Sequence, residues 1–106
     1  MKIHITEAAS TKLASLTTGT GRLLRVNGEL VGGCGMNVEY SLVWDDRHPQ
    51  DTVFESSGFD ILVDPETEGY IGSDHLTIDY RENQGFRLVT PQQILAYALH
   101  LKDRWA

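Results

Sequence analysis

One cysteine and four histidines are the soft metal-ligating side chains of this 106-residue chain. The cysteine, Cys34, is set in Gly32-Gly33-Cys34-Gly35-Met36, shortly after the apolar run Leu23-Leu24-Arg25-Val26. Glycine takes positive φ freely and lets other groups approach the backbone. A cysteine so flanked is presented by a loop rather than packed in a core. That is how a protein offers a thiolate to a metal or to an inorganic cluster, because the ligating form must be reached and charged. The competing reading is a small buried hydrophobe with no task. The histidines, His4, His48, His75 and His100, are never three or four apart, so no helix-borne zinc motif is present. His48 beside Pro49 and His75 beside Asp74 read as loop residues.

Catalysis finds little support. A cysteine nucleophile needs a neighbouring base, and only folding could bring His4, His75 or His100 to Cys34. No G-x-S-x-G, phosphate-binding loop or dinucleotide fingerprint occurs. The paired carboxylates Asp45-Asp46 fall in the polar run Asp45 to Asp51 and read as solvated. The chain is not expected to be an enzyme.

The elements that must position Cys34 are mostly strands. Lys2 to Ile5 alternates polar and apolar, a short strand. Thr6 can cap a helix whose Ile5, Ala9, Leu13 and Leu16 fall at helical spacing, with Gly19 and Gly21 as stops. Gly21 onward is a strand that Asn27-Gly28 can bend or bulge. After the Cys34 loop, Val38, Tyr40, Leu42 and Trp44 alternate with mostly polar neighbours, predicting a half-buried strand with those four inward. Thr52 to Glu55 and Phe59 to Val63 are short strands joined by Ser56-Ser57-Gly58, a hairpin signal. Asp64-Pro65-Glu66 starts a short helix that must stop by Gly69 or Gly72. Leu76, Ile78 and Tyr80 mark a strand, and Gly85 to Val89 another.

Thr90-Pro91-Gln92-Gln93 then has the form of a capping box with proline in its first turn. It predicts a last helix from about Pro91 towards Trp105, with Ile94, Ala98, Leu101 and Trp105 as its apolar stripe. Part of that stripe is available to pack on a second subunit, giving a homodimer. The expected class is mostly β (α+β): a compact β-sandwich with an N-terminal, a short middle and a C-terminal helix.

At 106 residues the expectation is one domain spanning 1–106. Formal net charge is −6, and the nine basic residues are scattered, which argues against a nucleic-acid partner. One cysteine excludes an intramolecular disulfide. Met1 to Thr6 lacks the apolar region of a signal peptide, and no run approaches the roughly 20 apolar residues of a membrane span. A cytoplasmic location without membrane contact is the expectation.

The order of these motifs carries a resemblance. Cys34 in its glycine loop, Val63-Asp64 before a short helix, Ile78-Asp79-Tyr80, then Asn83-Gln84-Gly85-Phe86 and Pro91 resemble the HesB-like family. Its members are the A-type carriers and scaffolds of iron–sulfur cluster assembly. The resemblance runs from Ile5-Thr6 to Pro91 and implies a small β-sandwich with an N-terminal helix. Family carriers hold clusters with three cysteines, one in the glycine loop and two in a C-terminal Cys-Gly-Cys. The first falls on Cys34; the other two fall near Tyr97 and Leu99, neither of which can replace a thiolate. The chain thus resembles a shorter branch without the C-terminal pair.

The resemblance implies a carrier or accessory protein of iron–sulfur cluster assembly, with Cys34 as ligand to a cluster or to iron. Its partners would be assembly or client proteins. His100, one position beyond the second absent cysteine, is the best substitute metal ligand. With one cysteine per chain, a cluster would be shared between subunits or completed by an outside ligand. The alternative is a module of the same fold that binds no cofactor and recognises a protein or small molecule.

Overall fold

The computed structural model describes residues 1–17, 21–32 and 37–103. Nine strands and two helices occur among them. In chain order these are β1 (Lys2–Ile5), α1 (Glu7–Leu16), β2 (Leu23–Val31), β3 (Asn37–Asp45), β4 (Thr52–Ser56), β5 (Phe59–Val63), α2 (Pro65–Ile71), β6 (His75–Arg81), β7 (Gly85–Val89), β8 (Ile94–Leu99) and β9 (Leu101–Asp103). One sheet has the order β1-β6-β7-β8 and the other β4-β5-β2-β3-β9. Both are mixed: β1/β6, β2/β5 and β3/β9 are parallel and the remaining pairs antiparallel.

An apolar cluster lies between the sheets. Ile3, Ile5, Leu76, Ile78, Phe86 and Leu88 come from one, and Leu24, Val26, Leu42, Trp44, Ile61 and Val63 from the other. The fold is therefore the mostly-β, α+β class that the alternation predicts. Ala9 and Leu13 of α1 and Ile71 of α2 close the cluster. Leu42 and Trp44 are buried as expected, while Tyr40 packs partly buried at the margin and Val38 is only half-buried.

Local signals set most boundaries. Thr6 Oγ1 accepts from the Ala9 N–H at 3.2 Å and donates to Asp79 Oδ1 at 2.9 Å, capping α1 and tying it to β6. Asp64 caps α2 through the Thr67 N–H at 2.7 Å, and Gly72 ends it at φ 58°. Ser57 and Gly58, at φ 51° and 82°, make the tight turn that joins β4 to β5. No bulge forms at Asn27-Gly28: β2 and β3 stay in register through Gly28↔Tyr40. The glycine serves α2 instead. Its N–H donates to Thr67 Oγ1 at 2.9 Å, and an added Cβ would lie 3.3 Å from both Tyr40 and Tyr70.

The last segment corrects the helix expected from Pro91 onward. Residues 94–99 and 101–103 are strands, one in each sheet, and Trp105 lies outside the described residues. Thr90 to Gln93 is a hairpin turn. The Thr90 N–H donates to the Gln93 carbonyl at 2.8 Å, and the Gln93 N–H donates to Thr90 Oγ1 at 3.2 Å. The same short-range side-chain bond that caps a helix here closes a turn. Beyond it, the open edge of β7 needs hydrogen-bond partners, a long-range demand that outweighs the helix preference of Leu and Ala. The strand β8 that meets it is irregular, with register shifts between Phe86 and Leu88 and between Leu88 and Val89, so its inward residues do not alternate.

Candidate functional site

The hairpin β2–β3 is the longest in the fold and pairs without a shift from Leu23↔Asp45 to Val31↔Asn37. The connection between Val31 and Asn37 carries Cys34, which lies outside the described residues. The described stem ends on Gly32 at φ 123°, a backbone state that favours glycine.

The chain reaches this stem again much later, in β8. Val38, Glu39 and Tyr40 of β3 and Leu95, Ala96 and Tyr97 of β8 line one hollow of about 490 Å³. Tyr97, at one position where the resemblance places a missing cysteine, therefore stands beside the strand that leaves the Cys34 connection. Its side chain is 74% exposed. Burial pushes the Tyr40 hydroxyl above its ordinary pKa, so the phenol stays protonated. Leu99, the second such position, differs: it packs partly buried against the core.

Between them Ala98 has φ 54°, a left-handed conformation that a non-glycine residue seldom adopts. It crosses Gly85, itself at φ 84°, so closely that a Cβ there would sit 2.8 Å from the Leu99 carbonyl oxygen. Gly85 is thus required twice, by its own φ and by the approach of the β8 backbone.

His100 is exposed in the single-residue break between β8 and β9. It does not line the hollow against β3. It borders two others on the side of the β6–β7 turn, both shared with Asn83. Among the described residues no three His, Cys, Asp or Glu side chains gather as a metal site. His48 and His75 are exposed.

Two arginine clusters were not legible in the spacing. Arg25 lies 2% exposed on the face of β2 that turns away from the core. Its Nε meets Asp45 Oδ2 at 2.7 Å, and its two terminal nitrogens grip the Asp51 carboxylate at 2.8 and 2.6 Å. Asp45 is buried, which corrects its reading as a solvated loop carboxylate, while Asp46 is exposed as read; Asp51, at the end of that polar run, is buried as well. Their partner is an arginine 20 and 26 residues away, and only strand pairing shows the approach. The hydrogen bond from Arg25 holds the Asp51 carboxyl below its usual range despite burial.

The second cluster lies on the other sheet. Arg87 Nη2 donates to Asp79 Oδ2 at 2.7 Å, across the β6–β7 pair, and the Thr6 hydroxyl donates to Oδ1. Burial alone would raise the Asp79 carboxyl; the bonds from Arg87, Thr6 and the Tyr80 backbone outweigh it and hold it low.

Over residues 1–103 the sequence matches the model of a protein family described as iron-sulphur cluster biosynthesis. No curated protein matches it. Among solved structures, one similar fold is a Lactobacillus salivarius protein assigned to Fe-S biosynthesis, at 22% identity and TM-score 0.69, covering 97% of this chain and 98% of that one. A second is IscA with a [2Fe-2S] cluster, at 26% identity and TM-score 0.63, covering 84% and 85%. A third is Escherichia coli SufA, involved in biosynthesis of iron-sulfur clusters, at 23% identity and TM-score 0.59, covering 86% and 82%.

Proposed function

This chain belongs to the iron-sulphur cluster biosynthesis family, and from that premise we propose that it carries iron or an iron–sulfur cluster as cargo, with Cys34 as its ligand. It acts by binding and handing over, without turnover of its own. The observation that carries the reading is the placement of Cys34 in the connection of the long β2–β3 hairpin, whose stem faces Tyr97 of β8. The similar fold of IscA, solved with a [2Fe-2S] cluster, supports the choice of cargo.

A cluster needs about four ligands, mostly thiolates. One chain offers one cysteine, so a second subunit or an outside thiol completes the set. His100 is the remaining ligand candidate of this chain, and its exposure leaves the imidazole accessible. Cargo held this way is released readily, which suits transfer to a client protein. Asp79, Thr6 and Arg87 have a supporting part: they fix α1 and β7 on β6, in the sheet that ends on the irregular β8.

One observation favours the second reading, a binding module without cargo. Leu99, at a mapped cysteine position, is committed to the core and Tyr97 offers only a phenol. Anaerobic reconstitution with iron and sulfide separates the two. The carrier reading expects visible charge-transfer absorption that collapses in Cys34→Ser and bleaches quickly on chelation. Wild-type protein that stays colourless, or absorption unchanged in Cys34→Ser, rejects it.

A further inference from the structure

A hollow of about 320 Å³ opens where the β6–β7 turn meets β8, lined by Asn83, Gln84, Arg87, Tyr97, Ala98 and His100. Its lining is rich in donors. A guanidinium, two side-chain amides, an imidazole and a phenol all offer N–H or O–H donors, and no acidic side chain lines it, in a chain of formal charge −6. Arg87 spends one terminal nitrogen on Asp79, while its Nε is buried without a hydrogen-bond partner among the described residues. Asp79 occupies one terminal nitrogen of Arg87, and an acceptor with negative charge in the hollow would meet the remaining side-chain donors that line it.

We propose that this hollow binds a small oxyanion, a carboxylate or a phosphate, through Arg87 together with Asn83, Gln84 and His100. The guanidinium suits either group because its planar fork matches two oxygens. Tyr97 lines both this hollow and the one beside β3, so the oxyanion would lie near the stem of the Cys34 hairpin. This site does not depend on cargo binding. At His100 the two uses compete, but only the oxyanion site requires Asn83 and Arg87.

The test uses the full chain without metal, titrated with inorganic phosphate and, separately, malonate at constant ionic strength. NMR follows the Arg87 Nε–H and the backbone amides of residues 83–100. At least one anion should shift these signals saturably, and the tighter of the two names the source. Asn83→Asp keeps the left-handed backbone that Asn83 adopts at φ 67°, which aspartate tolerates, and puts a carboxylate in the hollow. It should weaken binding about tenfold. Cys34→Ser should bind as wild type. Absence of a saturable shift with both anions overturns the site. So does equal binding by Asn83→Asp, or loss of binding in Cys34→Ser.

Discussion

Arg25 and Arg87 both meet aspartate across strands, yet they are different devices. Arg25 is sealed under the loop that follows β3, with Nε and both terminal nitrogens engaged by Asp45, Asp51 and the Asp46 carbonyl. Arg87 lies on the other sheet, a quarter exposed in its side chain, with one aspartate and a spare Nε. The first arrangement engages all three guanidinium nitrogens within the fold. The second borders a hollow and pairs with a single carboxylate. One cluster is thus enclosed within the fold, and the other is partly open beside the proposed oxyanion site.

The largest test of that division is Arg25→Ala. It strands two carboxylates in a buried place, and loss of one partner of such a set costs about 3–5 kcal/mol; urea denaturation should show it, and a change below about 1 kcal/mol would place Arg25 with ordinary surface pairs. Gly85→Ala comes next. A side chain at φ 84° facing the Leu99 carbonyl is expected to cost about 1–3 kcal/mol, with lost amide protection in β8 before the rest of the fold. Wild-type protection there would show that β8 yields easily.

Arg87→Gln should cost only about 1 kcal/mol, because its pair is partly solvated. A loss equal to that of Arg25→Ala would erase the contrast. The smallest signal is in acid. The Asp51 carboxyl is lowered by Arg25 in the folded protein, so its contribution is present above the unfolded value of about 3.9 and disappears as pH falls through the folded one. Denaturation midpoints should therefore drop as pH falls below about 4. Asp51→Asn should flatten that drop, and a slope identical to wild type would remove Asp51 as its source.

Where structure follows from neighbouring residues, the sequence is informative. Thr6, Asp64-Pro65 and Ser57-Gly58 act within three residues of themselves, and the helices and turn they announce are present. Leu42 and Trp44 face the core because alternation in a half-buried strand is a local rule. Residues 94–99 escape this logic. Ile-Leu-Ala-Tyr-Ala-Leu satisfies a helical stripe, and two register shifts hide its strand period. What decides is the edge of β7, which no local window contains. Arg25 escapes for the same reason, since charge patterning along the chain does not show which carboxylates will share its face. Cys34 was legible as a chemical opportunity through its glycines, and Tyr97 as a neighbour of that hairpin only through the fold.

The break at His100 has a consequence for how the protein is made. One residue separates β8 in the first sheet from β9 in the second, where Leu101, Lys102 and Asp103 pair in parallel with Leu42, Val43 and Trp44. On a ribosome that releases about 5–20 residues per second, β3 waits several seconds with its outer edge unpaired. During that interval the hairpin that carries Cys34 is bounded on one side by nascent chain alone. Closure of both sheets arrives together with the last strands, so the partly synthesised protein has an open strand edge for which a chaperone, or another copy still being made, can compete.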